Sequence, residues 1–298
     1  MEKYLNRYLD YLKYQKNYSI NTINSYEKDI NKFILFLKQE HLDGFNLEHA
    51  YIKNYLQFLN KNLTNASICR HISSLKSFYK YLFKNKLIKN NPFNLVSLPR
   101  KDKKLPKYLH SNELDEIFNV FDLTKSLDVR NRLIFELLYA TGIRVGELVQ
   151  IKLQDINLKD RTINIWGKGN KERIANYGEY AEEILNMYLN KARPQILGNK
   201  ESIYLFINKN GTGLTDRGVR YIVDETLKKT SIKTKMTPHT LRHTFATHLL
   251  NEGCDILIVQ ELLGHESLRA TQIYTHITND ALKETYLKTH PRKKDKIK

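Results

Sequence analysis

Apolar residues recur at spacings of three and four along most of the first 84 positions. Residues 2–16 bring Leu5, Tyr8, Leu9 and Leu12 to one face, and residues 22–39 do the same with Ile23, Tyr26, Ile30, Phe33, Ile34 and Leu37. Between them, residues 18–21 read as a turn with capping side chains. A third helix is predicted over 47–60 with Asn46 as its cap, and a fourth over 65–84 with Ile68, Ile72, Leu75, Tyr79 and Leu82 inward. This pattern predicts a helical domain over residues 1–95.

Downstream the pattern is mixed. Ser111 caps a helix over 112–121. Residues 128–141 form a strongly apolar helix (Leu133, Ile134, Leu137, Leu138) closed by Gly142. Residues 162–166 alternate as a strand, Gly-Lys-Gly-Asn-Lys makes a turn, and residues 173–177 return. A helix over 178–192 follows, then a short third strand over 204–207 and a Thr215-capped helix to 229. Pro238 opens a helix that stops at Gly253, Asp255 opens another that stops at Gly264, and Ser267 can cap a short one. A last helix over 279–289 carries Leu282, Tyr286 and Leu287. The fold class is therefore mainly α: a helical N-terminal domain and an α+β C-terminal domain with a small antiparallel sheet, over residues 108–298 with a basic tail. Residues 96–107 link the two. There Pro99 and Pro106 bracket Arg100, Lys101, Lys103 and Lys104, which keeps the segment extended.

Charge narrows the partner. The 298 residues hold 49 Lys and Arg against 32 Asp and Glu, a formal charge of +17 spread over both halves and the linker. The natural partner is a polyanion along an extended surface. Arg70, Lys76 and Lys80 on the fourth helix, the four linker cations, and Arg217 and Arg220 are candidate DNA-backbone contacts; the competing reading is a solvated basic face. Cys69 and Cys254 have neither metal-ligand spacing nor a disulfide framework, which points to a reduced, cytoplasmic setting. The N-terminus has no apolar signal core, and no run approaches the length of a membrane span.

Candidate chemistry concentrates between Met236 and His276. His239 and Arg242 stand three apart on one helical face, so their heads can converge. His265 falls just past a helix end, and Tyr274 follows. A guanidinium forks onto two phosphate oxygens, and a Tyr phenol is a covalent nucleophile once helped to lose its proton. Two cations and a phenol thus suit attack on a phosphodiester. Each residue taken singly also reads as an ordinary helix residue, and His243, His248 and His276 are read as core or surface histidines. A zinc pair at His239 and His243 is the rival. It lacks a third ligand and a neighbouring carboxylate base, and Arg242 lies between, so no metal is expected. Arg144 begins a short helix with Glu147 three residues on. That is either a surface ion pair or a second phosphate-gripping Arg oriented by Glu147. Lys168 is placed at a hairpin tip, outside any phosphate-cradling loop motif. It is either solvated or a general acid for a leaving oxygen.

The ordered set of Thr-Gly-Ile-Arg-Val-Gly-Glu-Leu at 141–148, Gly-Lys-Gly-Asn-Lys at 167–171, Pro-His-Thr-Leu-Arg-His at 238–243, Leu-Gly-His at 263–265 and Tyr-Thr-His at 274–276 resembles the tyrosine recombinases of the phage-integrase superfamily, most closely the Xer type. The resemblance spans nearly the whole chain, from a core-binding domain to a catalytic one. It implies that Tyr274 attacks a DNA phosphate to form a 3′-phosphotyrosine and free a 5′-hydroxyl. Arg144 and Arg242 would hold the non-bridging oxygens with help from His265, Lys168 would protonate the departing oxygen, and His239 would assist proton transfer at Tyr274. Neither ATP, metal nor other cofactor is implied. The implied partners are a double-stranded recombination site and a homo- or hetero-tetramer on it, with room for a second recombinase and a DNA translocase. The last helix would dock on a neighbouring subunit or pack on its own domain. Because the chain opens at the core-binding helices, resolution of chromosome or plasmid multimers is expected ahead of an integrase or excisionase role in a mobile element.

Overall fold

Capping side chains start the two longest helices of the first half. Ser19 accepts the Thr22 N–H at 3.3 Å and opens α2 (Ile20–Gln39), and Thr64 accepts the Ser67 N–H at 3.4 Å and opens α4 (Asn65–Lys84). They appear in a computed structural model that describes residues 1–98, 108–167, 172–233, 236–264 and 279–291, the side chains of 279–281 excepted. The chain forms two compact units, Met1–Lys104 and Leu105–Lys298.

In the first unit, α1 (Glu2–Asp10) continues into a π-helical turn, Tyr11–Gln15. The third helix, α3 (His49–Asn62), starts later than predicted, and Glu48, not Asn46, is its cap. The reason is local. Asp43 accepts the Phe45 N–H at 3.0 Å and its carbonyl takes the Asn46 N–H at 3.3 Å, so Asn46 is spent in a turn. Tyr8, Phe33, Tyr55, Phe78 and Tyr79 form an aromatic core. Beyond α4 the chain folds back onto it: Phe93 sits 4.9 Å from Tyr79 and 5.5 Å from Phe33, ring centre to ring centre, with Ile88 and Val96 buried beside it.

The second unit is built round α6 (Ser126–Thr141), which is buried without a break from Leu133 to Thr141 and also buries two charges, Arg130 on the Ile207 carbonyl and Glu136 against Arg132. Ahead of it, α5 (Ser111–Asn119) is capped at His110 and not at Ser111, because the Glu113 carboxylate accepts the His110 N–H at 2.8 Å. After α6 come the short α7 (Val145–Leu148) and a three-stranded antiparallel sheet in the order β1 (Ile156–Asn157), β2 (Thr162–Trp166), β3 (Glu172–Asn176). The third strand is thus β1, not residues 204–207. The carbonyls of that later segment are taken by side chains: Arg193 reaches Ser202, Tyr204 and Leu205, and Arg130 reaches Ile207. Only isolated bridges remain, to Lys152 and Gly213.

The helix after the sheet, α8 (Glu179–Met187), runs through a π-turn into α9 (Arg193–Leu197), beyond its predicted end. Thr215 caps α10 (Asp216–Leu227) as the sequence indicates. Thr237 caps α11 (Pro238–Asn251), with Pro238 at its first position. Asp255 caps α12 (Ile256–Leu263). The last helix, α13 (Asn279–Thr289), packs on its own domain. Tyr286 stacks on buried His290 at 4.8 Å, His290 lies 5.1 Å from Tyr139, and Lys283 donates to the Asp160 carbonyl at 2.8 Å. His248 is a core histidine, its Nδ1 2.8 Å from the Tyr139 hydroxyl.

Gly142 ends α6 at φ +58°, where an added Cβ would lie 2.6 Å from Phe245 and 2.7 Å from Leu263. Gly142→Ala combines left-handed strain with overpacking and is expected to destabilise the second unit by about 2–4 kcal/mol, read as a shifted urea midpoint.

Candidate active site

Two helix ends and three arginines make the site. α6 and α12 both stop at glycines with left-handed backbone, Gly142 at φ +58° and Gly264 at φ +62°. A helix end leaves carbonyls without intrahelical donors and carries the negative pole of the helix dipole. Arg242 answers both ends. It rises from α11, whose Leu241 and Phe245 are locked in the core, and donates Nη1 to the Gly142 carbonyl and Nη2 to the Leu263 carbonyl, each at 2.6 Å. Its side chain is buried. Burial and the nearby Arg144 push its pKa down to about 10, so it remains a cation at neutral pH.

Arg144 is the N-cap of α7. Glu147 accepts its backbone N–H at 2.9 Å and its Nη1 at 2.8 Å, while its Nη2 lies 3.4 Å from the Gly264 carbonyl. The two arginines therefore address adjacent carbonyls, those of Leu263 and Gly264. Arg144 stays 48% exposed and keeps donors free to meet a ligand, whereas Glu147 is 8% exposed. The second oxygen of Glu147 also accepts Arg173 Nη2 at 2.9 Å. Burial alone would raise the Glu147 carboxyl, but the bonds from Arg173 and from the Arg144 backbone outweigh it and hold the group below its ordinary value. Three guanidinium groups against one carboxylate leave a net charge of two among these described residues. Such a site takes an anion with several oxygens.

The structure thus brings Arg144, Glu147 and Arg242 together as the sequence reading requires. His239 lies exposed in the first turn of α11, three residues before Arg242. Lys168, His265 and Tyr274 lie outside the described residues, as do Arg100, Lys101, Lys103 and Lys104. Arg217 and Arg220 are exposed on α10, Lys80 is exposed on α4 and Lys76 is half-buried. Arg70 is no free base: it is paired with buried Asp29 and donates to the Ser25 carbonyl at 3.2 Å.

Arg173 is the residue that sequence reasoning missed. A signal existed. In the strand register Arg173 faces Ile165 while Ala175 faces Ile163, and Ile163, Ile165 and Ala175 are buried. Arg173 therefore stands where the alternation calls for an apolar side chain. A charge in such a position is kept only with a partner.

The phage integrase family profile matches residues 107–280, and the phage integrase N-terminal SAM-like domain matches residues 5–86. The tyrosine recombinase XerC of Bacillus pumilus (strain SAFR-032) is 45% identical over 296 residues, covering 98% of this chain and 97% of the relative. The chain belongs to the phage integrase family. It is a Xer-type tyrosine recombinase, an enzyme of site-specific DNA recombination. The tyrosine recombinase XerC of Bacillus subtilis (strain 168) is 43% identical, covering 98% of this chain and 97% of the relative. A crystal structure of the XerH site-specific recombinase bound to palindromic difH substrate, a post-cleavage complex, is 27% identical. Its TM-score is 0.70, with 91% of this chain and 81% of that one covered.

The carboxylate at the centre of this recombinase's arginine cluster should report on pH. A carboxyl whose native pKa is lowered contributes stability above its unfolded value, about 4.3, and loses it as pH falls through the native value. Glu147→Gln is expected to cost about 2–3 kcal/mol at pH 7. Urea unfolding at descending pH should show the gap to wild type narrowing only below about pH 4.3; a gap independent of pH would contradict the pairing.

Proposed function

We propose that this recombinase cuts DNA with Tyr274 as nucleophile and with Arg144 and Arg242 as the grip on the scissile phosphate. The single observation that supports the reading is the meeting of those two arginines at the carbonyls of Leu263 and Gly264. Gly264 is the residue before His265, so the chain that carries Tyr274 departs from the place where the guanidinium groups converge.

The chemistry follows from charge. A phosphodiester carries one negative charge, and attack by a phenolate brings the reacting centre to two. A site with a net charge of two therefore favours the five-coordinate phosphorus over the resting diester, which is what lowers a barrier. The Tyr274 oxygen bonds to phosphorus as the bond to the 5′-oxygen breaks. Lys168 donates the proton that the departing 5′-oxygen takes, His239 assists proton transfer at Tyr274, and His265 supports the non-bridging oxygens. The 3′-phosphotyrosine keeps the energy of the broken bond, so the 5′-hydroxyl of a partner strand can reverse the step without ATP or metal.

The substrate is a double-stranded recombination site. Lys76, Lys80, Arg217, Arg220 and the linker cations Arg100, Lys101, Lys103 and Lys104 bear on its backbone, with the helical unit of residues 1–95 and the catalytic unit of 108–298 joined by the linker of 96–107. Four subunits act on two duplexes, alone or with a second recombinase and under a DNA translocase. The role is resolution of chromosome or plasmid multimers at chromosome partition and cell division, on the nucleoid in the cytoplasm. The relatives named XerC favour this role over that of a mobile-element integrase.

Incubation with duplexes nicked near the cleavage position tests the assignment. Wild type should become covalently joined to a 3′ end, and Tyr274→Phe should bind the same duplex without any adduct; adduct at the wild-type level in the variant would reject Tyr274. Excess chelator should leave strand exchange intact, and loss that zinc restores would overturn the metal-free scheme.

A further inference from the structure

Arg173 is given no contact with the reacting groups in the scheme above, yet it is bound into the same site and is one of the three guanidinium groups in its charge count. We infer that Arg173 is a positioning residue: as counter-ion of Glu147 it fixes that carboxylate for Arg144 and stops it from cancelling the charge with which Arg144 and Arg242 meet the reacting phosphate. This rests on the assignment of Tyr274, Arg144 and Arg242 under Proposed function.

The geometry divides the carboxylate between two guanidinium groups. Arg144 Nη1 holds Oε1 at 2.8 Å and Arg173 Nη2 holds Oε2 at 2.9 Å, while Oε2 also accepts the Arg144 backbone N–H. Arg173 is itself confined. It projects from the face of the sheet that carries Ile163 and Ile165, and its stem lies across Gly264, where a Cβ would stand 2.9 Å from its Cδ and 3.1 Å from its Nε. Its Nε is buried without a hydrogen-bond partner among the described residues. Glu147 is therefore the acceptor that holds the guanidinium in place there.

The charge count gives the arrangement its consequence. Without Arg173, Glu147 would offset one of the two phosphate-facing arginines and leave a single net charge, enough for a resting diester. With Arg173 present, two net charges remain, which matches the centre during phenolate attack. The contact to Glu147 runs through one nitrogen, so a lysine can replace it in charge, whereas a glutamine of similar length cannot.

The test compares a phosphate with an analogue that carries less charge. A methylphosphonate at the scissile position replaces one non-bridging oxygen with a methyl group and removes one charge from the reacting centre. Full-length wild type, Arg173→Lys and Arg173→Gln are each mixed with a nicked duplex bearing either linkage, and the rate of covalent adduct formation is followed. On the phosphodiester, Arg173→Gln should be slower by about ten- to a hundredfold, with Arg173→Lys within about threefold of wild type. On the methylphosphonate the deficit of Arg173→Gln should shrink to about threefold or less, because the lost charge is no longer required. Equal slowing of Arg173→Gln on both linkages would show a merely structural role and overturn the inference, as would an unslowed Arg173→Gln on the phosphodiester. Wild type that forms no adduct on the phosphodiester would instead strike at the nucleophile assignment, and remove this inference with it.

Discussion

A buried carboxylate shared by two guanidinium groups is the constraint from which the second unit's functional geometry follows. Glu147 is nearly removed from water, so its charge must be matched inside the protein. Its partners come from a helix cap and a sheet strand that are distant in sequence, and pairing them ties the sheet to the end of α6. A third arginine beside these two would repel them. Arg242 is tolerated because its donors land on carbonyls at two helix ends, where the helix dipole is negative. Three like charges are thus held close by one carboxylate and by backbone oxygens that helices must leave over in any case.

The rest of the unit delivers those pieces. α6 takes the centre and is buried along its whole second half, α11 packs against it with Leu241 and Phe245 in the core, and α12 ends beside both. Glycine is required at the two stops for space as well as for backbone conformation. At Gly142 a side chain would collide with Phe245 and Leu263, and at Gly264 it would collide with Arg173. The close approach of backbone to side chain at these points sets how near the guanidinium groups can come to one another.

The first unit uses a related device for a different end. Asp29 is 2% exposed on α2, yet it binds Arg70, His71 Nε2 at 3.0 Å and Ser74 Oγ at 3.3 Å from α4. Burial lowers the pKa of His71, with Arg70 and Lys32 acting in the same direction and Asp29 against them. One inward carboxylate of α2 therefore holds an arginine, a histidine and a serine of α4 and cross-links two helices whose apolar faces already match.

What the sequence determined by itself was everything that depends on neighbours along the chain. Helical periodicity, the caps at Thr215 and Asp255, the glycine stops at 142 and 264 and the β2–β3 hairpin are local effects of backbone conformation and side-chain spacing, and each is where it was read. The ordered boxes around Arg144, Arg242 and Tyr274, which carry the family resemblance, are likewise patterns of neighbours along the chain. Local reasoning failed where a nearby group competed for the same atoms: Asp43 drew Asn46 into a turn, and Glu113 moved a cap from Ser111 to His110. Only the tertiary structure decided that residues 204–207 give their carbonyls to Arg193 and Arg130 instead of to a strand, that α13 returns to its own domain, and that Arg173 shares Glu147 with Arg144. Each of these is a contact between parts far apart in sequence, settled by which buried charge or carbonyl finds its partner once the apolar faces have closed.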